Sequence, residues 1–199
     1  MRKHQGFSLI ELIIVVVILS LLAVTALPRF LNITEQAEDA AVEGVAGGFA
    51  AAVGLVRAEW EIEGRPSGND AYITMTSTKV QVNAFGFPTA GSGGSGSNLA
   101  PNQMSALACK TVFDRVMQSP VRSVVENNDA SNVRYYISVE SAAGSTDNGT
   151  VFDLCVYHLV ATLSLNKETG IPASSDINVG NNFTYNSATG QVQVFSNNQ

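Results

Sequence analysis

The chain has 199 residues, of which 45% are hydrophobic and only 14% are charged, and its formal net charge is −6. A chain of this length forms one domain with a substantial core plus an extended element. A net negative charge provides no general attraction to nucleic acids or anionic membranes, so the composition argues against a nucleic-acid-binding protein.

The first 30 residues, MRKHQGFSLIELIIVVVILSLLAVTALPRF, contain an apolar run of 21 residues from Phe7 to Leu27. A helix of that length covers about 30 Å, the thickness of the hydrocarbon core of a bilayer. Glu11 is the one ionisable residue in the run. Its carboxylate is unfavourable by roughly 2.5–3.5 kcal/mol at the centre of a membrane, and by less near an end. The run therefore predicts a transmembrane helix whose single charge needs an explanation.

Two simple interpretations leave that charge unexplained. A secretory signal peptide would account for the basic start MRKH and for the small residues VTA that end at Ala26. However, the apolar stretch of a signal peptide has only about 7–15 residues, fewer than the 21 of this run. A plain membrane anchor with a basic cytoplasmic flank fits the length of the run. Neither interpretation gives Glu11 a role.

The segment KHQGFSLIEL resembles the processing site of type IV pilins and their relatives. The resemblance implies a leader of residues 1–6, removed by a prepilin peptidase that cuts after Gly6 and methylates the new amino terminus on Phe7. A glycine suits the cut because it leaves the backbone open to a protease. Glu11 is then the fifth residue of the mature chain. Its carboxylate would pair with the terminal amine of a neighbouring subunit, so that two charges costly in lipid neutralise each other and favour one packing register.

The apolar run leads into a second, amphipathic helical half. Pro28 predicts a bend or local melting around Val24 to Pro28, because proline removes a helical hydrogen bond. Beyond it, apolar residues recur every three or four positions, and EGRPSGND predicts a helix end near Glu63. The residues predicted to share one buried face are Val42, Val45, Phe49, Ala52, Val56 and Trp60. The predicted organisation is thus a leader (1–6), a transmembrane and assembly helix (7–30) and a globular domain (31–199).

A ladder of small residues also follows the second half of the helix, at Ala40, Gly44, Gly48 and Ala52. Small side chains let another backbone approach closely. The ladder indicates either packing against the sheet of the same subunit or contact with a neighbouring helix in a fibre, and the sequence leaves both open.

The remaining chain is mostly β-rich. Short alternating stretches (AYITM, KVQVN, VRYYISVE) and the longer TVFDLCVYHLVATLSL predict strands, and FTYNSATGQVQVF predicts a hairpin. The segment FGFPTAGSGGSGSNLAPN predicts a surface loop without packing, and PNQMSALACKTVFDRVMQS predicts a short helix with Pro101 in its first turn. The predicted fold is α+β, with a long N-terminal helix packed on an antiparallel sheet.

The two cysteines, Cys109 and Cys155, both lie beyond the apolar run. If that run delivers the chain to an oxidising compartment, the two residues form one long-range disulfide. The alternative is a pair of buried thiols in a reduced protein.

Three further stretches narrow the resemblance. PRFLNITEQAEDAAVEGVAGGFAAAVGLVRAEW resembles the second half of the long helix in mannose-sensitive haemagglutinin (MSHA) pilins, and VQVNAFGFPTAG and LACKTVFDRVMQSP resemble their following segments more loosely. This resemblance implies a fibre on a Gram-negative cell, used in attachment and biofilm formation. The implied partners are further copies of the chain, other pilins, the prepilin peptidase and methyltransferase, and the assembly machinery of the inner membrane, where the subunit resides before assembly.

No pattern in the sequence points to catalysis, a metal or a cofactor. His158 falls in a β-rich run without a triad or metal-ligand spacing, and DINVGNN at Asp176 lacks the full pattern of a calcium loop. The sequence predicts a non-enzymatic protein. The alternatives to a fibre subunit are an accessory adhesive pilin that binds a surface or glycan through Tyr72 and the loop from Phe85 to Asn102, and a pseudopilin of type II secretion.

Overall fold

The computed structural model describes residues 7–68, 70–75, 77–91, 98–145 and 149–197, except for the side chains of Pro28, Leu31 and Ser145. The chain divides into two compact units, one up to residue 37 and one from residue 38 onward. The predicted leader, with its cleavage residue Gly6, lies outside the described residues.

The first unit consists of the N-terminal part of helix α1 (Leu9–Ile62). Every side chain described in residues 7–37 is exposed. The helix is long and apolar enough to cross a membrane. It is helical through Pro28, so local melting is not seen there, and the predicted bend at this residue stays a prediction.

In the second unit, residues 38–62 of α1 pack on a five-stranded sheet. The strands are β3 (Ser123–Val125), β4 (Tyr135–Ser145), β5 (Val151–Leu159), β6 (Asn182–Asn186) and β7 (Val192–Phe195), in that spatial order. Neighbouring strands are antiparallel except for β3 and β4, which are parallel, so the sheet is mixed. A two-stranded antiparallel sheet, β1 (Tyr72–Met75) with β2 (Thr78–Gln81), and helix α2 (Ala106–Val116) complete the unit. The α+β prediction is confirmed.

The core of the second unit is aromatic and centres on Phe49 of α1. Its ring lies 5.3–5.9 Å from the rings of four residues of α2, β5 and β6, namely Phe113, Tyr157, Phe183 and Tyr185. The helical face predicted from the sequence is the face that is buried, and it also includes Ala46 and Val53. Period-3.6 spacing was therefore sufficient to orient this half of the helix.

A disulfide joins Cys109 on α2 to Cys155 on β5, with 5.5 Å between their Cα atoms. Both residues are fully buried beside the aromatic core. The predicted pairing is confirmed.

Two core tyrosines differ in how their hydroxyl groups are satisfied. The Tyr185 hydroxyl donates to the carbonyl oxygen of Pro88 at 2.8 Å, whereas the buried Tyr135 hydroxyl has no hydrogen-bond partner among the described residues. Burying an unsatisfied hydroxyl costs about 1–3 kcal/mol, and losing a made hydrogen bond costs about 1 kcal/mol.

We expect Tyr135→Phe to leave the free energy of unfolding unchanged or raise it by about 1 kcal/mol, and Tyr185→Phe to lower it by a similar amount. Urea unfolding of the two variants checks this, and equal losses would contradict it.

The opposite face of the sheet is covered in part by the irregular segment between β5 and β6. Tyr136 of β4 packs with Leu163, Leu165 and Val179 in a second, smaller cluster. Tyr136 and Ser138 are consequently buried along with Tyr135 and Ile137. The alternation of VRYYISVE predicts a strand buried on one face only. This prediction was wrong, because irregular chain without periodicity covers the second face of β4.

His158 lies under this segment and is fully buried. Its Nε2 atom is 3.1 Å from the Ser138 hydroxyl, and its Nδ1 atom has no partner among the described residues. Burial lowers the pKa of His158 from 6.5 to about 4, which nearby backbone carbonyls and the Asp176 carboxylate oppose only partly. The imidazole is a neutral part of the protein interior.

This burial predicts a pH dependence of stability. The unfolded chain binds a proton at His158 below about pH 6.5, whereas the folded chain binds it only near pH 4. The unprotonated His158 therefore contributes about 3 kcal/mol to the free energy of unfolding. This contribution is fully present above pH 6.5 and falls as the pH drops towards 4. His158→Gln should flatten the unfolding free energy between pH 6.5 and 4 relative to the unmodified protein. Parallel pH profiles for the two proteins would refute this assignment.

Two other local predictions were wrong. Helix α2 begins at Ala106, where the Ser105 hydroxyl accepts a hydrogen bond from the amide of Ala108 at 3.2 Å, and not at Pro101. The described residues of the predicted loop at 85–102 are packed rather than free: Thr89 and Ala90 are buried, and the Asn98 side chain donates to two backbone carbonyls at 2.6 Å. Residues 92–97 lie outside the described part of the chain.

Candidate assembly surface

Helix α1 begins with a reciprocal hydrogen-bonded cap between Ser8 and Glu11. The Ser8 amide and hydroxyl donate to the Glu11 carboxylate at 2.9 and 2.6 Å, and the Glu11 amide donates to the Ser8 hydroxyl at 3.3 Å. This is a capping box, in which a serine before the first helical residue and a glutamate three residues later satisfy each other's amides. The S-x-x-E spacing from Ser8 to Glu11 is the sequence signature of this arrangement.

The cap gives Glu11 a role within its own helix as well as the role expected between subunits. A carboxylate in the first turn also lies at the positive end of the helix dipole. However, glutamine serves in the same position of a capping box. The negative charge itself is therefore not required by the cap, and the two roles can be separated by substitution.

The apolar surface that follows Glu11 is continuous. All the large hydrophobic side chains from Leu12 to Leu27 are exposed, and none of them belongs to either core cluster. Burying a single leucine or isoleucine side chain is worth about 1.5–3 kcal/mol. Exposed in water, this surface would be strongly unfavourable, so it requires lipid or other protein around it.

The small-residue ladder lies mostly on the exposed side of the second half of α1. Ala40, Gly44 and Gly48 are exposed, whereas Ala52 is partly buried against the core. A Cβ atom built on Gly44 or Gly48 would meet nothing within 4 Å. Packing against the chain's own sheet, one of the two interpretations of the ladder, therefore does not explain these two glycines.

This exposed face also lacks charge. Residues 44–56 contain no ionisable side chain, and Ala51, Leu55 and Ala58 on the same side of the helix are exposed. The second half of α1 thus has one face in the core and an opposite face that is small, uncharged and open. Such a face allows close approach of another backbone.

The remaining residues that the sequence singled out are Asp176, Tyr72 and Phe85, and each has a local or surface environment. The Asp176 carboxylate accepts hydrogen bonds from the amide and side chain of Asn178 at 2.8 and 2.9 Å, the geometry of a local turn. Among the described residues, no group of three or more His, Cys, Asp and Glu side chains could hold a metal ion. Tyr72 is exposed beneath the Lys79 ammonium, 4.1 Å from its ring centre, and Phe85 is half exposed.

Comparisons with known proteins add two findings. The family described as the prokaryotic N-terminal methylation motif matches residues 1–27. The type IV narrow pilus major component PilA5 of Thermus thermophilus is 42% identical over 53 residues, which are 27% of this chain and 46% of that protein. The match thus spans about half the length of the curated relative. No solved structure matches the chain significantly. The motif and this similarity relate the chain to type IV pilins.

Proposed function

We propose that the chain is a structural subunit of a type IV pilus and that it polymerises through its N-terminal helix. The observation that carries the proposal is the apolar surface of residues 7–27, whose side chains are exposed throughout and in which Glu11 is the one ionisable residue. In the inner membrane, lipid covers this surface. In a fibre, the same surface of other copies takes the place of lipid.

The charge of Glu11 has a consistent role in this proposal. Prepilin peptidase would cut after Gly6, and the methylated amine of Phe7 would lie one helical turn from the carboxylate of its own chain. Extraction from the membrane brings that carboxylate towards the amine of a neighbouring subunit. A buried charge without its partner costs several kcal/mol, so only registers that pair the two groups are stable.

The open face of residues 40–58 suits the same assembly. Small uncharged residues on this face permit a neighbouring helix to approach more closely than leucines or charged residues would. The resemblance to MSHA pilins adds that the fibre serves attachment and biofilm formation on a Gram-negative cell. Other pilins and the inner-membrane assembly machinery are the further partners that it implies.

Electron microscopy of the sheared surface fraction, with antibody labelling of this chain, tests the proposal. A shaft subunit labels the whole fibre, whereas an accessory adhesive pilin labels fibre tips or sparse positions. A pseudopilin leaves the surface fraction unlabelled and gives a secretion defect on deletion, which would overturn the proposal. Deleting residues 91–97 separates the structural from the adhesive role, because fibres would remain while attachment is lost only if that loop carries the binding.

A further inference from the structure

The five-stranded sheet ends at an open strand. Strand β7 pairs with β6 on one side, and no described strand lies on its other side. The pairing is regular from Asn182 opposite Phe195 to Tyr185 opposite Val192. An edge strand presents a row of unpaired amides and carbonyls that can pair with a further strand. Strand β7 therefore offers such a row.

The register identifies which backbone groups of β7 point outward. At the hairpin turn the Asn186 amide donates to the Gln191 carbonyl oxygen at 3.0 Å, so these two residues form a hydrogen-bonded pair. Hydrogen-bonded and non-hydrogen-bonded pairs alternate along an antiparallel ladder. Gln193 consequently bonds to β6, whereas the amides and carbonyls of Val192 and Val194 point away from it. Among the described residues, these outward groups have no backbone hydrogen-bond partner.

The opposite edge of the same sheet is blocked, and the edge at β7 is not. Strand β3 has only three residues, and the outer edge of β4 beyond it contains an irregularity between Glu140 and Gly144, where Ala142 has a φ of 58°. Short strands, charges and bulges are the usual protection of sheet edges. In contrast, residues 177–199, which include β6 and β7, contain no Asp, Glu, Lys, Arg, His or Pro.

The charge of the chain favours a second copy as the partner of this edge only at an uncharged surface. The net charge is −6, so two copies repel each other where their charged surfaces meet. The edge at β7 carries no charge, so two copies can approach each other there. Val192 and Val194 are partly buried against the core of their own domain, and Gln193 is exposed on the other face. A second strand would cover the part of both valines that remains open.

We propose that β7 pairs in antiparallel orientation with β7 of a second copy of the chain, about a two-fold axis at Gln193. In this register Val192 of each copy lies opposite Val194 of the other, and both pairs exchange hydrogen bonds through their outward amides and carbonyls. Gln193 lies opposite Gln193 of the second copy in a non-hydrogen-bonded pair, with about 4.5 Å between the Cα atoms. The two sheets become one continuous sheet.

This contact differs from the helix packing of the proposed fibre. Successive subunits of a helical fibre join two different surface patches, whereas a two-fold contact joins identical ones and closes on itself. Pairing through β7 therefore adds a contact between copies that α1 does not provide. It can be measured on subunits in detergent whether or not fibres form, so its failure is distinguishable from failure of the fibre proposal.

Cysteine cross-linking of the full mature chain in mild detergent tests the register. Gln193→Cys should form a disulfide-linked dimer at least tenfold faster than Gln191→Cys under the same oxidant. Both glutamines are exposed, and they lie on the same face of the strand. However, the two copies of residue 191 would be roughly 14 Å apart along the strands, beyond the reach of a disulfide. Equal rates for the two variants, or no dimer from either, would overturn the inference.

A charged substitution provides the second measurement. Gln193→Lys would place like charges directly opposite each other, and it should lower the dimer fraction in native mass spectrometry at least fivefold. Asn132→Lys adds the same charge at an exposed site before β4 and should dimerise like the unmodified chain. The fluorescence of buried Trp60 reports whether both variants are folded. Equal dimer fractions in the two folded variants would show association through the apolar helix alone and overturn the inference.

Discussion

Glu11→Gln is expected to reduce the yield of surface fibres at least tenfold while the subunit still accumulates in the membrane. Glutamine keeps the capping hydrogen bonds with Ser8 but removes the negative charge. Without that charge, the amine of a neighbouring Phe7 would be buried unpaired at a cost of several kcal/mol per subunit. Immunoblots of the sheared and membrane fractions measure both quantities. Glu11→Ala should behave similarly, with insertion intact or improved.

Ser8→Ala is the matched control for this experiment. It removes the hydroxyl that accepts from the Glu11 amide and donates to its carboxylate, yet it leaves the charge in place. Loss of such a cap costs about 1 kcal/mol of helix stability, which a long packed helix tolerates. Fibre yield should therefore remain near that of the unmodified chain. If Ser8→Ala abolished fibres while Glu11→Gln assembled normally, the cap and not the charge would be the role of Glu11.

Replacing both cysteines with alanine is expected to lower the free energy of unfolding by about 3–4 kcal/mol. The disulfide joins residues 46 positions apart, and cross-linking a loop of that length constrains the unfolded chain by about this amount. Because the whole stability of a domain is typically 5–15 kcal/mol, we also expect less mature protein in cells. Urea unfolding of the full chain in mild detergent, followed by the fluorescence of the single tryptophan Trp60, measures the change.

Unfolding in the presence of a reducing agent is the control for the disulfide experiment. Reduction should destabilise the unmodified protein to about the level of the double variant and leave the double variant unchanged. A difference below 1 kcal/mol between the oxidised protein and the double variant would show that the buried aromatic core, rather than the cross-link, holds α2 on the sheet.

The long helix and the final hairpin were predictable because their sequences repeat with the period of their structure. Phe49 and Val56 lie on one face at helical spacing, and strands β6 and β7 flank a turn rich in Asn and Gly. The covering of the second face of β4 was not predictable, since residues 163–181 are irregular and carry no period. Strand β3 was missed because it has only three residues and pairs in parallel with a strand later in the chain.

The candidate sites also differ in how far the sequence alone predicts them. Glu11 stood out in the sequence because a single charge interrupts an apolar run, and its capping partner could have been found from the S-x-x-E spacing. The open face of residues 40–58 could be predicted only as one of two alternatives, because the spacing of its small residues fits packing against the sheet as well as contact with a neighbouring helix.

Intact-mass spectrometry of this chain from the sheared surface fraction tests the central claim most directly. Polymerisation through paired charges predicts a chain that begins at Phe7 and carries a methyl group on its terminal nitrogen. A chain that retains residues 1–6, or one that begins at Leu27, would lack either the freed amine beside Glu11 or Glu11 itself. Either mass in assembled fibres would contradict the account.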